Sequence, residues 1–522
     1  PWPYYPLTNL QGLDIEHAAV QISRVTLWMG HRQMIDRYGE SEPPLPLQDL
    51  SSIRRADALR TRWPETDCII GNPPFLGSQW IRRSFGDDYV EWLKRAFGVG
   101  IKDFCTYWFR LATDHLQPGQ RAGLVGTNSV SQNRARSASL DYVVAEDGVI
   151  TDGIKSQKWP GEAHVHVSIV NWVRDPATPP QEFTLEGVAV SGIRADLTET
   201  SGDNWVPQRL AANAGRCFQG PIPVRAGFIV SEEEARVMLA DDTTDYSAVV
   251  RPYVTGDDIA NRPDQSPGRW IIDFAQRRLE EAQHFPAALA IVRARVKPER
   301  DQNRREARRR RWWLFGEQAI GMRRAIAGQG RWLGSLAFGK RLFLAWEDAW
   351  TCPAGKIYIF SFDDDYSMGI LQSKAHNVWA WHQGGTLETR LSYTPTSVFE
   401  TFPFPDPVTE EQQERVAETS RRLLATRSQI CSTEQIGLTK LYNAVDEGAW
   451  TDLVALHREL DEAVAECYDW PRAVAQDPKE LVRRLTALNR EISEGQRPYA
   501  PFDWSRNLPP IGRTSARGRH RR

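Results

Sequence analysis

The feature that most restricts the fold is an alternation running from Leu10 to about Arg174, in which short apolar runs take turns with longer amphipathic segments. This is the pattern of βαβ units, so it predicts an α/β domain built around a parallel sheet. LQGLDIE reads as a strand and HAAVQISRVTLWMGHRQMI as a helix, with Ala19, Ile22, Val25, Leu27 and Met29 at roughly helical spacing. RRADAL, DCIIG, RAGLVGTN, GVITDGI and HVHVSIVNW read as further strands. DDYVEWLKRAFG and DFCTYWFRLATDHL read as helices with apolar faces, the second ended by Pro118-Gly119.

Beyond this alternation the texture changes. Residues 176–204 are rich in Pro, Thr, Glu and Gly with little periodicity, which predicts a connector between a first domain, 1–175, and a second, 205–408. The second is dense in Trp, Phe, Arg and Gly, with short strand-like runs such as KIYIFSF, and is expected to be a mixed α+β domain. After FPFPDP the chain becomes charged and amphipathic, so 409–505 is expected to be helical, and SARGRHRR within 506–522 a disordered basic tail.

Composition excludes several classes. Sixty-five basic against 67 acidic residues leave a formal net charge of −2, so any nucleic-acid partner must be met by local charge. Six cysteines, scattered without C-x-x-C spacing, argue against a zinc site or a disulfide framework and fit a reducing cytoplasm. No run approaches 18 uninterrupted apolar residues, which argues against a membrane partner.

One motif carries chemistry. In DCIIGNPPFLGSQ an apolar strand stops on Asn72, Pro73, Pro74 and Phe75. A strand-to-loop turn would account for the prolines, which fix their own φ and push the preceding residue toward extended backbone. A second use follows from the poor nucleophilicity of an adenine amino group, whose lone pair is delocalised into the ring. Two acceptors on its N–H bonds would favour a tetrahedral nitrogen, and an aromatic face would hold the base. Asn72 offers an amide oxygen, Pro73 a carbonyl on stiff backbone, and Phe75 a ring. Catalysis of this kind works by position and electrostatics and calls for no metal.

With this motif the chain resembles the S-adenosylmethionine-dependent N6-adenine DNA methyltransferases that carry a C-terminal target-recognition domain, in particular the MmeI-like enzymes and their relatives in phage defence. The resemblance rests on GLDIEHAAVQISRVTLW, ADAL, DCIIGNPPFLGS, DFCTYWFRLA, RAGLVGTNSVSQ, EAHVHVSIVNW, RPYVTGDDI and LSYTPTSVFETFPFP, in that order. It implies a Rossmann-like methyltransferase sheet, a target-recognition domain and a helical end. It assigns Asn72, Pro73, Pro74 and Phe75 to the target adenine, Asp14 to the cofactor ribose with Glu16 as rival, Asp57 to the cofactor adenine, and Asp103 with Phe104 to the cofactor pocket. Capping is the lesser alternative for Asp14 and Asp57, and Asp103, an acid at the start of a helix, needs no ligand to explain it. Thr127 and Asn128 end a strand near the same cleft, whereas His164 and His166 read as solvent or edge residues. The strand and Gly-rich turn expected before the acidic strand are not found. The chain starts at Pro1, so it reads as a truncated sequence whose sheet lacks its first, central strand and would expose edges and apolar faces.

The implied partner is double-stranded DNA, along with possible restriction or defence-system subunits. Arg308, Arg309, Arg310 and Arg311, followed by two tryptophans, are the expected phosphate contacts, although a solvated helix face would also explain them. Arg390, Ser392 and Tyr393 are candidates for reading bases. Two other readings stay open: a non-catalytic DNA-recognition fragment, and methylation of RNA or of a protein glutamine.

Overall fold

The structure, a computed structural model, describes residues 6–38, 49–159, 165–200, 205–387 and 390–503. It divides into two compact units, Pro1–Asn204 and Trp205–Arg522. His164 and the expected basic tail lie outside the described residues.

The first unit comprises β1 (Gly12–Asp14), α1 (His17–Tyr38), β2 (Ile53–Arg55), β3 (Cys68–Gly71), α2 (Ser78–Phe97), α3 (Thr106–His115), β4 (Arg121–Thr127), β5 (Gly148–Lys158), β6 (His166–Arg174), β7 (Phe183–Leu185) and β8 (Val188–Val190), with shorter helical turns between them. Six strands form one sheet in the order β3-β4-β6-β5-β7-β8, and β1 pairs with β2 in a separate parallel pair. β3 is parallel to β4, with Gly71 opposite Leu124. β6 runs antiparallel between β4 and β5, setting Val167 opposite Thr127 and His166 opposite Lys158. The carboxyl ends of β3, β4 and β5 therefore share one edge with the start of β6. In open α/β sheets ligands bind at such an edge, outside the carboxyl ends of the strands.

The sheet is covered on one side through Phe109, which stacks on Trp172 at 5.7 Å and packs with Leu124, Ile150 and Val170. A second cluster joins α2 and α3 through Ile81, Val90, Leu93, Phe104 and Tyr107. α2 breaks at Gly86, where a φ of 82° turns the chain between two helical stretches. The β1–β2 pair has its own small core of Leu7, Val20, Leu50 and Ile53. β3 is an edge whose Ile70 is 85% exposed, while Ile22, Val25 and Met29 lie exposed on α1.

Two expectations need correcting. The strand read in RRADAL is Ile53–Arg55, and Asp57 lies in the turn behind it. Its Oδ1 accepts the Leu59 N–H at 3.0 Å and its carbonyl the Arg60 N–H at 3.1 Å, so a short acid stops the strand by offering the backbone another partner. The stretch expected to be a connector carries β7 and β8. β7 pairs in parallel with β5, and Leu197 enters the core, so these residues belong to the first unit.

The second unit has three small sheets. β9 (Cys217–Gln219), β13 (Arg331–Leu336), β15 (Leu344–Asp348) and β17 (Ile357–Phe360) form one, and β10 (Ile229–Val230), β11 (Val250–Val254), β12 (Arg269–Ile272) and β16 (Cys352–Pro353) another. β14 (Phe338–Gly339), β18 (Gly385–Leu387) and β19 (Arg390–Ser392) make the third. Helices Glu410–Glu434, Leu438–Asp446, Thr451–Cys467 and Pro478–Ser493 share one continuous core with these sheets, so the recognition region and the helical end are packed together. Asn489, fully buried, helps to join them: its Oδ1 accepts from Trp205 Nε1 and Gln208 N, and its Nδ2 donates to the carbonyls of Gln208 and Thr401.

Candidate functional site

Asn72 follows directly on β3 at the shared carboxyl edge. Its side chain is exposed and makes no hydrogen bond among the described residues. Pro73 is buried and Pro74 exposed, which anchors the backbone of the turn on one side only. Phe75 is half-buried, packed on the core below, and its ring meets that of Trp159 edge-on at 6.4 Å and 90°. Trp159 sits just past β5, where its N–H donates to the Val165 carbonyl at 3.0 Å across the β5–β6 end. A free amide and two perpendicular rings thus stand at the end of one strand edge.

The turn is braced from α3 and β4. Phe104 N–H donates to the Leu76 carbonyl at 2.9 Å, tying the residue after Phe75 to the chain entering α3. Next to it, Asp103 Oδ2 accepts from Thr127 Oγ1 at 3.0 Å and from Ser129 Oγ at 2.6 Å, and these two hydroxyls lie 2.6 Å apart. Asp103 therefore fastens the approach to α3 onto the end of β4. Two polar atoms nearby are buried without a hydrogen-bond partner: Asn128 Nδ2 and His166 Nδ1. His166 is half-buried at this edge, where the sequence suggested a solvent or edge residue.

Asp14 ends β1 with an exposed carboxylate whose Oδ1 accepts the Glu16 N–H at 2.8 Å, a cap at the entry to α1, and Glu16 is exposed as well. Both oxygens of Asp57 are engaged, one by the Leu59 N–H and the other by the Tyr89 hydroxyl at 3.0 Å. Burial and the adjacent Asp57 carboxylate raise the Tyr89 phenol well above its ordinary range, so it stays protonated and donates. Cys105 is buried beneath Thr127 with its thiol pushed up to about 11 by desolvation, which leaves it an inert packing group.

In the second unit, Arg308, Arg309 and Arg310 lie on the short helix Glu306–Arg310, and Arg311 follows it. Arg308 pairs with Glu317 at 3.2 Å and Arg310 with Glu306 at 2.7 Å. Arg309 bonds the Asn303 carbonyl and has no ion pair among the described residues, and Arg311 is exposed. Trp312 and Trp313 behind them are core residues. Arg390 is half-buried on β19. Tyr393 is fully buried, its hydroxyl 3.0 Å from His376 Nε2, so it packs the core and cannot read bases.

Sequence reasoning missed Trp159 and Ser129. Trp159 follows a run whose strand continues to Lys158, and a tryptophan at a strand's carboxyl end was the available signal. Ser129 stood in TNS beside the named Thr127 and Asn128.

A Rossmann-like sheet ending in an amide and paired rings, followed by a mixed α+β unit with a helical end, defines a two-part DNA-methyltransferase architecture. The chain belongs to the MmeI family: residues 4–182 match its DNA-methyltransferase domain and residues 209–406 its target recognition domain. It is 22% identical over 529 residues to DNA methyltransferase A of Bacillus subtilis (strain 168), covering 94% of this chain and 57% of that protein. Its fold is similar to that of the type IIL restriction-modification enzyme MmeI in complex with DNA, with a TM-score of 0.76 and 20% identity over 93% of this chain and 66% of that one. The chain thus spans a little over half the length of the curated relative. Among the described residues no helix is long and apolar enough to cross a membrane.

Proposed function

We propose that the protein containing this chain transfers a methyl group to the N6 amino group of an adenine flipped out of double-stranded DNA, within a restriction-modification or phage-defence system. The observation that carries this reading is the uncommitted Asn72 amide beside the fixed carbonyl of Pro73 and the Phe75–Trp159 pair. Asn72 Oδ1 and the Pro73 carbonyl accept the two N–H bonds of the amino group, drawing its lone pair out of conjugation and toward the incoming carbon. Phe75 and Trp159 hold the extruded ring, recovering by stacking part of the cost of unpairing it. The Asp103–Thr127–Ser129 network keeps the turn from yielding as the base enters.

S-adenosylmethionine supplies the electrophilic methyl group when bound. The exposed Asp14 carboxylate, at the carboxyl end of a parallel strand, suits a pair of ribose hydroxyls. Asp57, fixed by Leu59 and Tyr89, keeps a lone pair for an exocyclic amino donor. Asp103 is spent on Thr127 and Ser129, so its part is to position the turn.

The reading is tested with labelled S-adenosylmethionine, duplex DNA and the complete protein, followed by digestion to nucleosides. The product expected is N6-methyladenine, and Asn72→Ala should abolish it while DNA binding persists. Label recovered as methylcytosine, on RNA or on glutamine, or full activity in Asn72→Ala, would sink the assignment.

A further inference from the structure

A cavity of about 290 Å³ opens in the second unit between the loop after β14, helix Lys374–Gln383 and helices Leu438–Asp446 and Thr451–Cys467. Its volume sits at the lower end of the roughly 300–1,000 Å³ typical of small-molecule sites, room for one nucleotide-sized ligand. The site is assembled from regular elements. Lys374, Asn377 and Trp381 recur at helical spacing on one face of their helix, and His457 and Asp461 stand one turn apart on another. Phe343 and Tyr442, their rings 5.6 Å apart, form an aromatic floor, and Tyr442 is held by its hydroxyl at 2.8 Å from His457 Nε2.

Two of the polar groups facing this space are uncommitted. Gln372 Oε1 is buried and has no hydrogen-bond partner, and the Asn377 side chain makes none among the described residues. A buried amide oxygen without a donor is costly to leave bare, and here it lines an open space that a ligand donor can reach. The rim favours an anion. Arg341 is neutralised by Asp446, but Lys340 is exposed without an ion pair among the described residues. Lys374 Nζ meets the carbonyl and amide oxygens of Gln476 and forms no ion pair among the described residues. The opposing carboxyl, Asp461, accepts the Lys374 N–H at 2.7 Å, and burial pushes it up to about 7, so it offsets only part of that charge at neutral pH.

We propose that this cavity binds a single nucleotide, with the base against Phe343, Trp381 and Tyr442, its polar edge on Gln372 and Asn377, and its phosphate at Lys340 and Lys374. The nucleotide comes either free or as a base extruded from bound DNA, and the chemistry is the same. The site is separate from the one assigned to methyl transfer, and its test reads binding alone.

The full chain is dialysed to equilibrium against each of the four labelled deoxynucleoside monophosphates. In parallel, duplexes carrying 5-iododeoxyuridine are irradiated on the protein and the cross-linked peptide is identified by mass spectrometry. Saturable binding of a monophosphate assigns the free ligand, and a cross-link on Phe343, Trp381 or Tyr442 assigns the DNA source. In either case Trp381→Ala should weaken binding or cross-linking about 5- to 150-fold, the range of one lost base stack. Lys340→Glu, at an exposed position that does not disturb packing, should weaken it about tenfold or more, with melting temperature unchanged. The proposal is overturned if neither probe engages these residues, or if both variants bind as the parent does.

Discussion

Glu347 on β15 is a buried acid whose ionisation the fold resists. It lies opposite Trp332 on β13 and is 6% exposed, and its Oε1 has no hydrogen-bond partner. Burial, then the charges of Asp258, Asp264 and Asp348, push its carboxyl from the ordinary 4.5 up to about 8. An acid raised in this way favours the folded state only while it is protonated. Its contribution is complete below 4.5 and is lost as pH climbs through 8, because the unfolded chain releases the proton freely and the folded one does not. At pH 7 the linkage amounts to about 3 kcal/mol against folding, and between pH 5 and pH 9 it grows by about 4 kcal/mol. Glu347→Gln keeps the shape and removes the titration. Its melting temperature relative to the parent should therefore rise with pH, at roughly 2 °C per kcal/mol or somewhat less for a unit of this size. Differential scanning calorimetry of both proteins at pH 5, 7 and 9 measures this. A difference that stays constant across the three would refute the reasoning, since a packing effect of the amide does not follow proton uptake.

Further outcomes follow from the same geometry. Trp159→Ala removes one wall from Phe75 and should lower kcat/KM for methyl transfer about 5- to 150-fold, with unchanged affinity for unmodified duplex in a filter-binding assay. Arg309→Ala and Arg311→Ala, whose charges are not spent on ion pairs, should each reduce the slope of log affinity against log salt by about 0.9 if each meets one phosphate. A slope equal to the parent's would return these arginines to a solvated face. Asn489→Ala removes four hydrogen bonds, of which the one to the Thr401 carbonyl is buried, so it should cost about 1–3 kcal/mol, seen as a lower urea midpoint.

The strands of the first unit were legible wherever the chain alternates in apolar runs that end on Gly, Asn or Pro, as DCIIG and RAGLVGTN do. RRADAL misled because three apolar residues straddle Asp57, whose local bonds to the Leu59 and Arg60 N–H groups are joined by a tertiary bond from Tyr89 that the sequence does not show. β7 and β8 stayed hidden because three-residue strands carry too little pattern to stand out from their polar surroundings. Asn72 and Phe75 could be named from covalent chemistry alone. Trp159 could not, because nothing local shows that the register of β5 on β6 delivers it to the same edge. The arginine run shows the opposite limit: its composition was plain, but Glu306 and Glu317 neutralise half of what the count suggested.

Asp14 and Asn72 belong to one reaction only if the β1–β2 pair and the six-stranded sheet present their carboxyl ends to a common cleft. β3 is an apolar edge strand, protected by its four-residue length, with no proline, lysine or bulge within Cys68–Gly71. Ile70 stands 85% exposed on it, and Ile22 and Met29 remain 66% and 58% exposed on α1. Burying a side chain of that size stabilises a fold by about 1.5–3 kcal/mol, so three left in water forgo several kcal/mol. None of the three belongs to the core around Phe109 and Trp172 or to the cluster of Leu7, Val20, Leu50 and Ile53. The half proposed to hold the base rests on the core around Phe109 and Trp172, against which Phe75 packs. The half assigned to the cofactor rests on a four-residue cluster, and its affinity should depend on what covers the edge of β3.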